Sequence, residues 1–305
     1  MDECCITGFD SFDLHTTCHC GQAFRWRRTS GAGADGVDGV DMEEGVVRGK
    51  LLRLEQRGGA LVVHPPVDSA TMEVVMDYFR LRTPHAHIEQ EIASIDPIMA
   101  AAVEHSRGLR LVAQEPWECL VSYILSARNG IPQISRAIEN IARGWGRPLG
   151  DCQDEATRFS FPGPRDLACA EECQIVACKA GFRSRAVCEA AHRAATGETD
   201  LDAITAMEYP AAKEELIRLR GVGEKVADCV LLFSMGKFEA FPVDVWIERA
   251  VRCLYFGGAE IPHREIRRWA SDKFGNLAGY AQEYLFAYAR ETIPDELRGA
   301  SHSKK

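Results

Sequence analysis

No stretch of the sequence carries the roughly 18–20 consecutive apolar residues that a membrane helix needs. The first residues, Met1-Asp2-Glu3-Cys4, offer neither a basic start nor an apolar run, so a secretory signal is not expected. A place inside the cell is the default expectation. Internal repeats and long low-complexity tracts are missing as well. Positive charge is in short supply: 36 Lys and Arg stand against 45 Asp and Glu, leaving a net charge of −9. That balance argues against a nucleic-acid partner, although a local basic surface can coexist with a negative total. Cysteine, by contrast, is plentiful at 12 residues. In an intracellular chain these are expected as reduced thiols and not as a disulfide framework. With 46% hydrophobic and 27% charged residues, the composition is that of a soluble globular protein.

A length of 305 residues allows one large or two ordinary domains. The pattern divides near residue 108. Over residues 1–108, strand signals alternate with Gly-rich turns, predicting an antiparallel sheet with a helix or two. Gln22–Arg28 reads as one strand. Leu51–Leu54 and Ala60–Val63 flank Gly58-Gly59, a hairpin turn. Ser30–Glu44, rich in Gly and Asp, reads as an exposed acidic loop. A helix is expected near Met72–Leu81. Over residues 109–305 strand signals vanish and apolar residues recur at helical spacing. Pro116–Leu125, Ile134–Trp145, Arg185–Ala195 and Ala211–Leu219 are predicted helices. So are Lys225–Met235, Val245–Tyr255, Glu265–Phe274 and Gly279–Arg290. The tail Ser301–Lys305 is expected to fray. The fold class is therefore α+β, a sheet domain followed by an all-α domain.

The densest signal is Leu219-Arg220-Gly221-Val222-Gly223-Glu224-Lys225-Val226-Ala227-Asp228. Two glycines allow a tight reversal between helices. Such a turn aims backbone N–H groups at one point beside a positive helix N-terminus, which is a phosphate-binding device needing no basic side chain. It can also be a plain helix–helix turn. Further on, Phe241-Pro242-Val243-Asp244-Val245-Trp246 places Asp244 to cap the next helix. Taken alone, Asp244 reads as a helix cap and nothing more.

Together these segments resemble the helix-hairpin-helix superfamily of DNA glycosylases with a Gly/Pro-Asp motif. The run G-V-G-x-K-V-A-D-C is similar to that of 8-oxoguanine DNA glycosylase/lyases. Gly21-Gln22-Ala23-Phe24-Arg25-Trp26 resembles that family's N-terminal G-Q-x-F-R-W, and Gly279-Tyr280-Ala281-Gln282 with Phe286 resembles its C-terminal helix. The likeness runs from about Gly21 to Arg290. It implies a TBP-like N-terminal sheet domain and a helical glycosylase domain. It also implies a bifunctional enzyme of base excision repair acting on 8-oxoguanine and formamidopyrimidine lesions, bound to damaged duplex DNA as a monomer. The enzyme would sit with the DNA, in a nucleus or a nucleoid.

The chemistry explains the residue types. A base in a duplex must be flipped out before it can be excised. A neutral amine can attack C1′ of the deoxyribose and form a Schiff base, opening the way to strand cleavage by β-elimination. Lys225 fits that role, because the positive end of a helix dipole disfavours an ammonium in the first turn. Asp244 would stabilise the cationic sugar, a task compatible with capping. 8-Oxoguanine carries a hydrogen at N7 where guanine has only an acceptor, so one backbone carbonyl can discriminate between them. The resemblance assigns that carbonyl to Gly21. It implies that Gln282 reads the Watson–Crick edge, Phe286 stacks on the base and Cys229 packs on its other face. Gly221, Gly223 and Val226 are the implied phosphate contacts.

On the opposite strand Gly181-Phe182-Arg183-Ser184-Arg185 resembles the family's G-Y-R-x-R. Phe182 would wedge beside the orphan base and Arg183 would donate to the orphan cytosine. Asn129, in the turn Ser126–Gly130, is a further implied DNA contact. That turn departs from the usual Asn-rich run: Arg128 stands in place of an Asn, and Gln133 in place of an Arg that helps read cytosine. Trp246 replaces a histidine of many animal and fungal members. Weaker discrimination for cytosine is therefore expected.

Some relatives hold an iron–sulfur cluster on four cysteines after the hairpin, but only Cys253 follows Asp244 here. Cys169, Cys173, Cys178 and Cys188 precede the hairpin, and Cys18-His19-Cys20 and Cys4-Cys5 lack zinc-site spacing. No metal ligand and no organic cofactor is assigned. A monovalent or divalent cation on hairpin carbonyls between Ile217 and Val222 is compatible with the family. Three other readings are rivals, and one of them, an adenine or pyrimidine glycosylase of the cluster-bearing branch, is disfavoured by the missing cysteines. A monofunctional alkylbase glycosylase needs no Lys at 225, and a non-catalytic DNA clamp would use the hairpin alone.

Overall fold

The computed structural model describes residues 4–32, 38–150 and 157–292. The first part runs β1 (Cys5–Ile6), α1 (Leu14–His19), β2 (Arg27–Ala32), β3 (Asp38–Val47), β4 (Lys50–Arg57) and β5 (Ala60–His64). Helices α2 (Ser69–Tyr78), α3 (His85–Ile95) and α4 (Pro97–His105) follow, then α5 (Pro116–Leu125) and α6 (Ile131–Trp145). A small hairpin of β6 (Pro148–Leu149) and β7 (Arg158–Phe159) leads to α7 (Pro164–Ala168), α8 (Glu172–Ile175), α9 (Ser184–Thr196) and α10 (Leu201–Ala206). The chain continues through α11 (Tyr209–Ile217), α12 (Glu224–Phe233), α13 (Val245–Tyr255), α14 (His263–Phe274) and α15 (Ala278–Thr292). The α+β architecture is as the sequence predicts.

The five-stranded sheet is antiparallel throughout, in the order β1-β5-β4-β3-β2. Its buried face packs Leu52, Leu54, Leu61 and Val63 against Val75, Tyr78 and Phe79 of α2 and its C-cap. Gly45 is required in β3: a Cβ there would stand 2.5 Å from the Trp26 ring. That indole is anchored by its Nε1, which donates to Tyr78 Oη at 3.0 Å.

Three readings need correction. Gln22–Arg28 is not a strand; β2 begins only at Arg27. The Gln22 amide is spent on tertiary bonds, donating to Arg110 O at 2.8 Å and accepting from Val112 N at 2.9 Å. Ser30–Glu44 is not a loop, for its described residues lie mostly in β2 and β3. Its acids Glu43 and Glu44 are buried because side chains distant in sequence meet them: the His15 and His19 rings hydrogen-bond Glu43, and Arg27 and Arg53 pair with Glu44. Finally, strands do recur after Leu109, as β6 and β7. The predicted tail at 301–305 lies outside the described residues.

The helical core is not confined to residues beyond 109. Ile92, Met99, Ala102 and Val103 of α3 and α4 belong to it, as do Cys20 and Phe24. Phe24 enters the helical core while Ala23 and Trp26 enter the sheet core. The segment carrying Gly21 is thus a seam between the two. Arg25 secures that seam, donating to Glu139 of α6 at 2.8 Å and to Phe159 O at 2.5 Å.

Candidate active site

The hairpin sits where its glycines predict. Gly221 adopts φ +79°, and a Cβ there would meet Ala186 at 2.8 Å, so both conformation and space call for glycine. Val222 N donates to Leu219 O at 3.1 Å and closes the turn. Gly223 precedes α12 in extended backbone, without a side-chain cap. The first N–H groups of α12 therefore have no partner from a capping side chain. The Val226 side chain points into the core, so any DNA contact there uses its backbone.

Lys225 opens α12 half-buried. Its Nζ donates to Ser126 Oγ at 3.3 Å and stands 5.0 Å from the centre of the Tyr123 ring. Asp244 caps α13, its Oδ1 accepting from Ile247 N at 2.8 Å. Burial pushes its carboxyl above the usual range; the backbone N–H groups of Ile247 and Trp246 and the Lys225 charge pull the other way. Both side chains face one cavity of about 660 Å³, which Gly21, Phe286, Trp246, Arg128 and Arg290 also line. A narrower chamber of about 40 Å³ adjoins it, lined by Gly21, Lys225, Cys229, Asp244, Gln282, Glu283 and Phe286. That volume suits a water rather than a purine.

Residues far apart in sequence thus meet around one amine. Residues 7–120 match the model of the 8-oxoguanine DNA glycosylase N-terminal domain. A probable N-glycosylase/DNA lyase of Methanothermobacter thermautotrophicus is 33% identical over 94% of this chain and 96% of its own. The chain belongs to the 8-oxoguanine DNA glycosylase/lyase family. Among solved structures, the 8-oxoguanine glycosylase/lyase of Clostridium acetobutylicum superposes with a TM-score of 0.84. It is 35% identical, with 92% of each chain covered, and was solved with double-stranded DNA containing cytosine opposite 8-oxoguanine. An N-glycosylase/DNA lyase of Arabidopsis thaliana is 28% identical over 90% of this chain and 76% of its own.

Gly21, Cys229, Gln282 and Phe286, the residues expected around the base, line one chamber. Gly21 takes φ +117°, and Cys229 and Gln282 are buried in the chamber wall. Burial pushes the Cys229 thiol up to about 12, so it packs as a neutral group. The opposite-strand residues form a separate cluster. Phe182 is 72% exposed, and its ring lies 4.3 Å from the Arg183 guanidinium carbon. Arg183 itself is buried and donates to Ala127 O at 2.6 Å and Arg128 O at 2.9 Å. Those donors hold the turn, and they use only part of the five N–H groups of the guanidinium. Asn129 is likewise engaged, its Nδ2 donating to Leu125 O at 3.1 Å.

Sequence reasoning missed four residues here. Tyr123 and Ser126 reach Lys225 from α5 and its C-cap, which read only as an apolar helix and a turn. Glu283 hides beside Gln282. Asp228 is fully buried, taking Lys213 Nζ at 2.8 Å and Tyr209 Oη at 2.7 Å, and so ties α11 to α12 around the hairpin. The motif G-x-K-V-A-D contained that aspartate, but only the tertiary structure shows its partners.

Proposed function

We propose that the protein is a bifunctional DNA glycosylase/lyase that excises 8-oxoguanine, and formamidopyrimidine lesions with it, from duplex DNA in base excision repair. The observation that carries this reading is the cavity between Lys225 and Asp244, closed by Gly21 and Phe286. Relatives named for glycosylase and lyase activity support it.

The flipped base enters beside Gly21. The Lys225 amine attacks C1′ as the C1′–N9 bond breaks, and the base leaves with the bonding pair and takes up a proton. Positive charge on the sugar faces the Asp244 carboxylate, held in place by its capping bond. Sugar-ring opening gives a Schiff base; loss of a C2′ proton then expels the 3′ phosphate by β-elimination, and water releases the lysine. Gln282 reads the Watson–Crick edge, Phe286 and Cys229 sandwich the base, and Phe182 and Arg183 occupy the opposite strand with Asn129 nearby. Phosphates bind at the uncapped start of α12 through Gly221, Gly223 and Val226.

The enzyme acts as a monomer and in the compartment that holds the DNA. It uses no organic cofactor, and a cation on the carbonyls of residues 217–222 supports the hairpin, which melting with and without potassium or magnesium tests. Arg128 and Gln133, standing where the family has Asn and Arg, reduce the preference for cytosine opposite the lesion. Nicking of duplexes carrying 8-oxoguanine, uracil or 3-methyladenine, with borohydride trapping, tests the whole reading: cleavage and trapping on the first alone are expected. Release of 3-methyladenine without trapping would overturn it.

A further inference from the structure

One buried carboxyl group in the chamber has no part in the steps above. Glu283 follows Gln282 on α15 and is 2% exposed. Its Oε1 has no hydrogen-bond partner, and neither has Oε1 of Gln282. Both side chains line the narrow chamber with Gly21 and Asp244. A buried acceptor without a donor is destabilising and calls for an explanation. Two such acceptors on consecutive residues call for one more strongly. Neighbouring helical positions point about 100° apart, so the two oxygens approach a ligand from different sides. Glu283 lies against the Cys20 thiol, and hence beside Gly21.

We propose that Glu283 is a base-recognition residue, accepting a hydrogen bond from the N7 hydrogen or the 2-amino group of the flipped purine alongside Gln282 and the Gly21 carbonyl. The proposal rests on the excision reading above. An oxidised guanine offers donors at N1, N7 and the 2-amino group, whereas guanine lacks the N7 donor and adenine presents an acceptor at N1. A wall of three acceptors is therefore matched to the donor-rich lesion. A site built this way rejects analogues that lack a donor, because its own buried oxygens are then left unpaired.

The groups facing Glu283 are the Cys20 and Cys229 thiols, the Tyr123 hydroxyl, Asp244 and the Arg290 guanidinium, with Lys225 in the same chamber. Burial dominates and pushes the carboxyl up to about 7; Asp244 adds to this, while Cys20 and Arg290 oppose it. The ionised form, with two acceptor oxygens, thus fills as the pH rises through about 7.

The test is single-turnover base release by the full-length protein, Glu283→Gln and Glu283→Ala, from about pH 5.5 to about pH 8.5. Substrates are 8-oxoguanine, its analogue without the 2-amino group, and 8-methoxyguanine, which has no N7 hydrogen. Expected at the alkaline end is a loss of at least about tenfold in the alanine variant on 8-oxoguanine. On one of the two analogues that variant should lose nothing further. Glu283→Gln keeps one acceptor oxygen but cannot titrate, so its rate should lack the rise near neutrality. Should the alanine variant not fold, the glutamine variant decides through that pH profile. Wild-type rates and an unchanged profile in the variants that fold, or equal losses on all three substrates, would overturn the proposal. A wild-type protein that releases no 8-oxoguanine overturns the excision reading instead.

Discussion

The Phe286 ring stands so close to Gly21 that a methyl group on the glycine would lie 3.1 Å from its edge. The contact brings the N-terminal seam and α15 together over the chamber. At φ +117° an L side chain is also strained. Gly21→Ala is expected to cost about 1–2 kcal/mol of stability. Release of 8-oxoguanine should fall far more, while affinity for abasic-site duplexes is kept. Thermal melting, single-turnover kinetics and fluorescence anisotropy check the three parts.

Lys225→Gln removes the nucleophile but leaves α12 intact, because the side chain is only half-buried. Borohydride should trap no covalent adduct on 8-oxoguanine duplexes, and strand nicking should disappear. A variant that still traps would remove Lys225 from the mechanism.

Asp244→Asn keeps the helix cap, since Asn caps as well as Asp, but removes the charge. Base release is expected to drop about 100-fold or more, as when a preorganised electrostatic partner is lost. Stability should move the other way. The folded carboxyl is raised by burial, so its contribution to stability is largest below the unfolded value of about 3.9 and is lost as pH rises through the folded value. The advantage of the Asn variant in chemical denaturation should therefore grow as the pH rises above about 4.

Lys213→Met leaves Asp228 buried without its cation. A destabilisation of about 3–5 kcal/mol is expected, the cost typical of breaking a buried pair. Because burial already raises the Asp228 carboxyl, the loss should be smaller at acid pH, where the group is protonated. Denaturation at two pH values checks this, and replacing both partners by apolar residues should restore most of the stability.

Phe182→Ala should leave thermal stability unchanged within about 0.5 kcal/mol, since the ring is 72% exposed. Its effect should fall on DNA, as weaker binding to a lesion duplex with little change for undamaged DNA. Anisotropy titrations with both duplexes measure it.

The local chemistry of the chain was enough to locate the hairpin, the capping role of Asp244 and most helices. Pro116–Leu125 and Val245–Tyr255 begin and end where the periodicity places them, because helix signals, glycine turns and caps are short-range. Residues from the G-Q-A-F-R-W segment to Phe286 could be assigned to one site only through their likeness to a family. What the sequence left undetermined depends on partners brought from a distance. Glu43 and Glu44 read as solvated acids, yet they are buried, because His15, His19, Arg27 and Arg53 converge on them. Gln22 read as part of a strand, yet its amide binds Arg110 and Val112 instead. Asp228 and Glu283 carry no local mark of burial at all. Burial and electrostatic field are set by what packs around a group, and only the tertiary structure decides that.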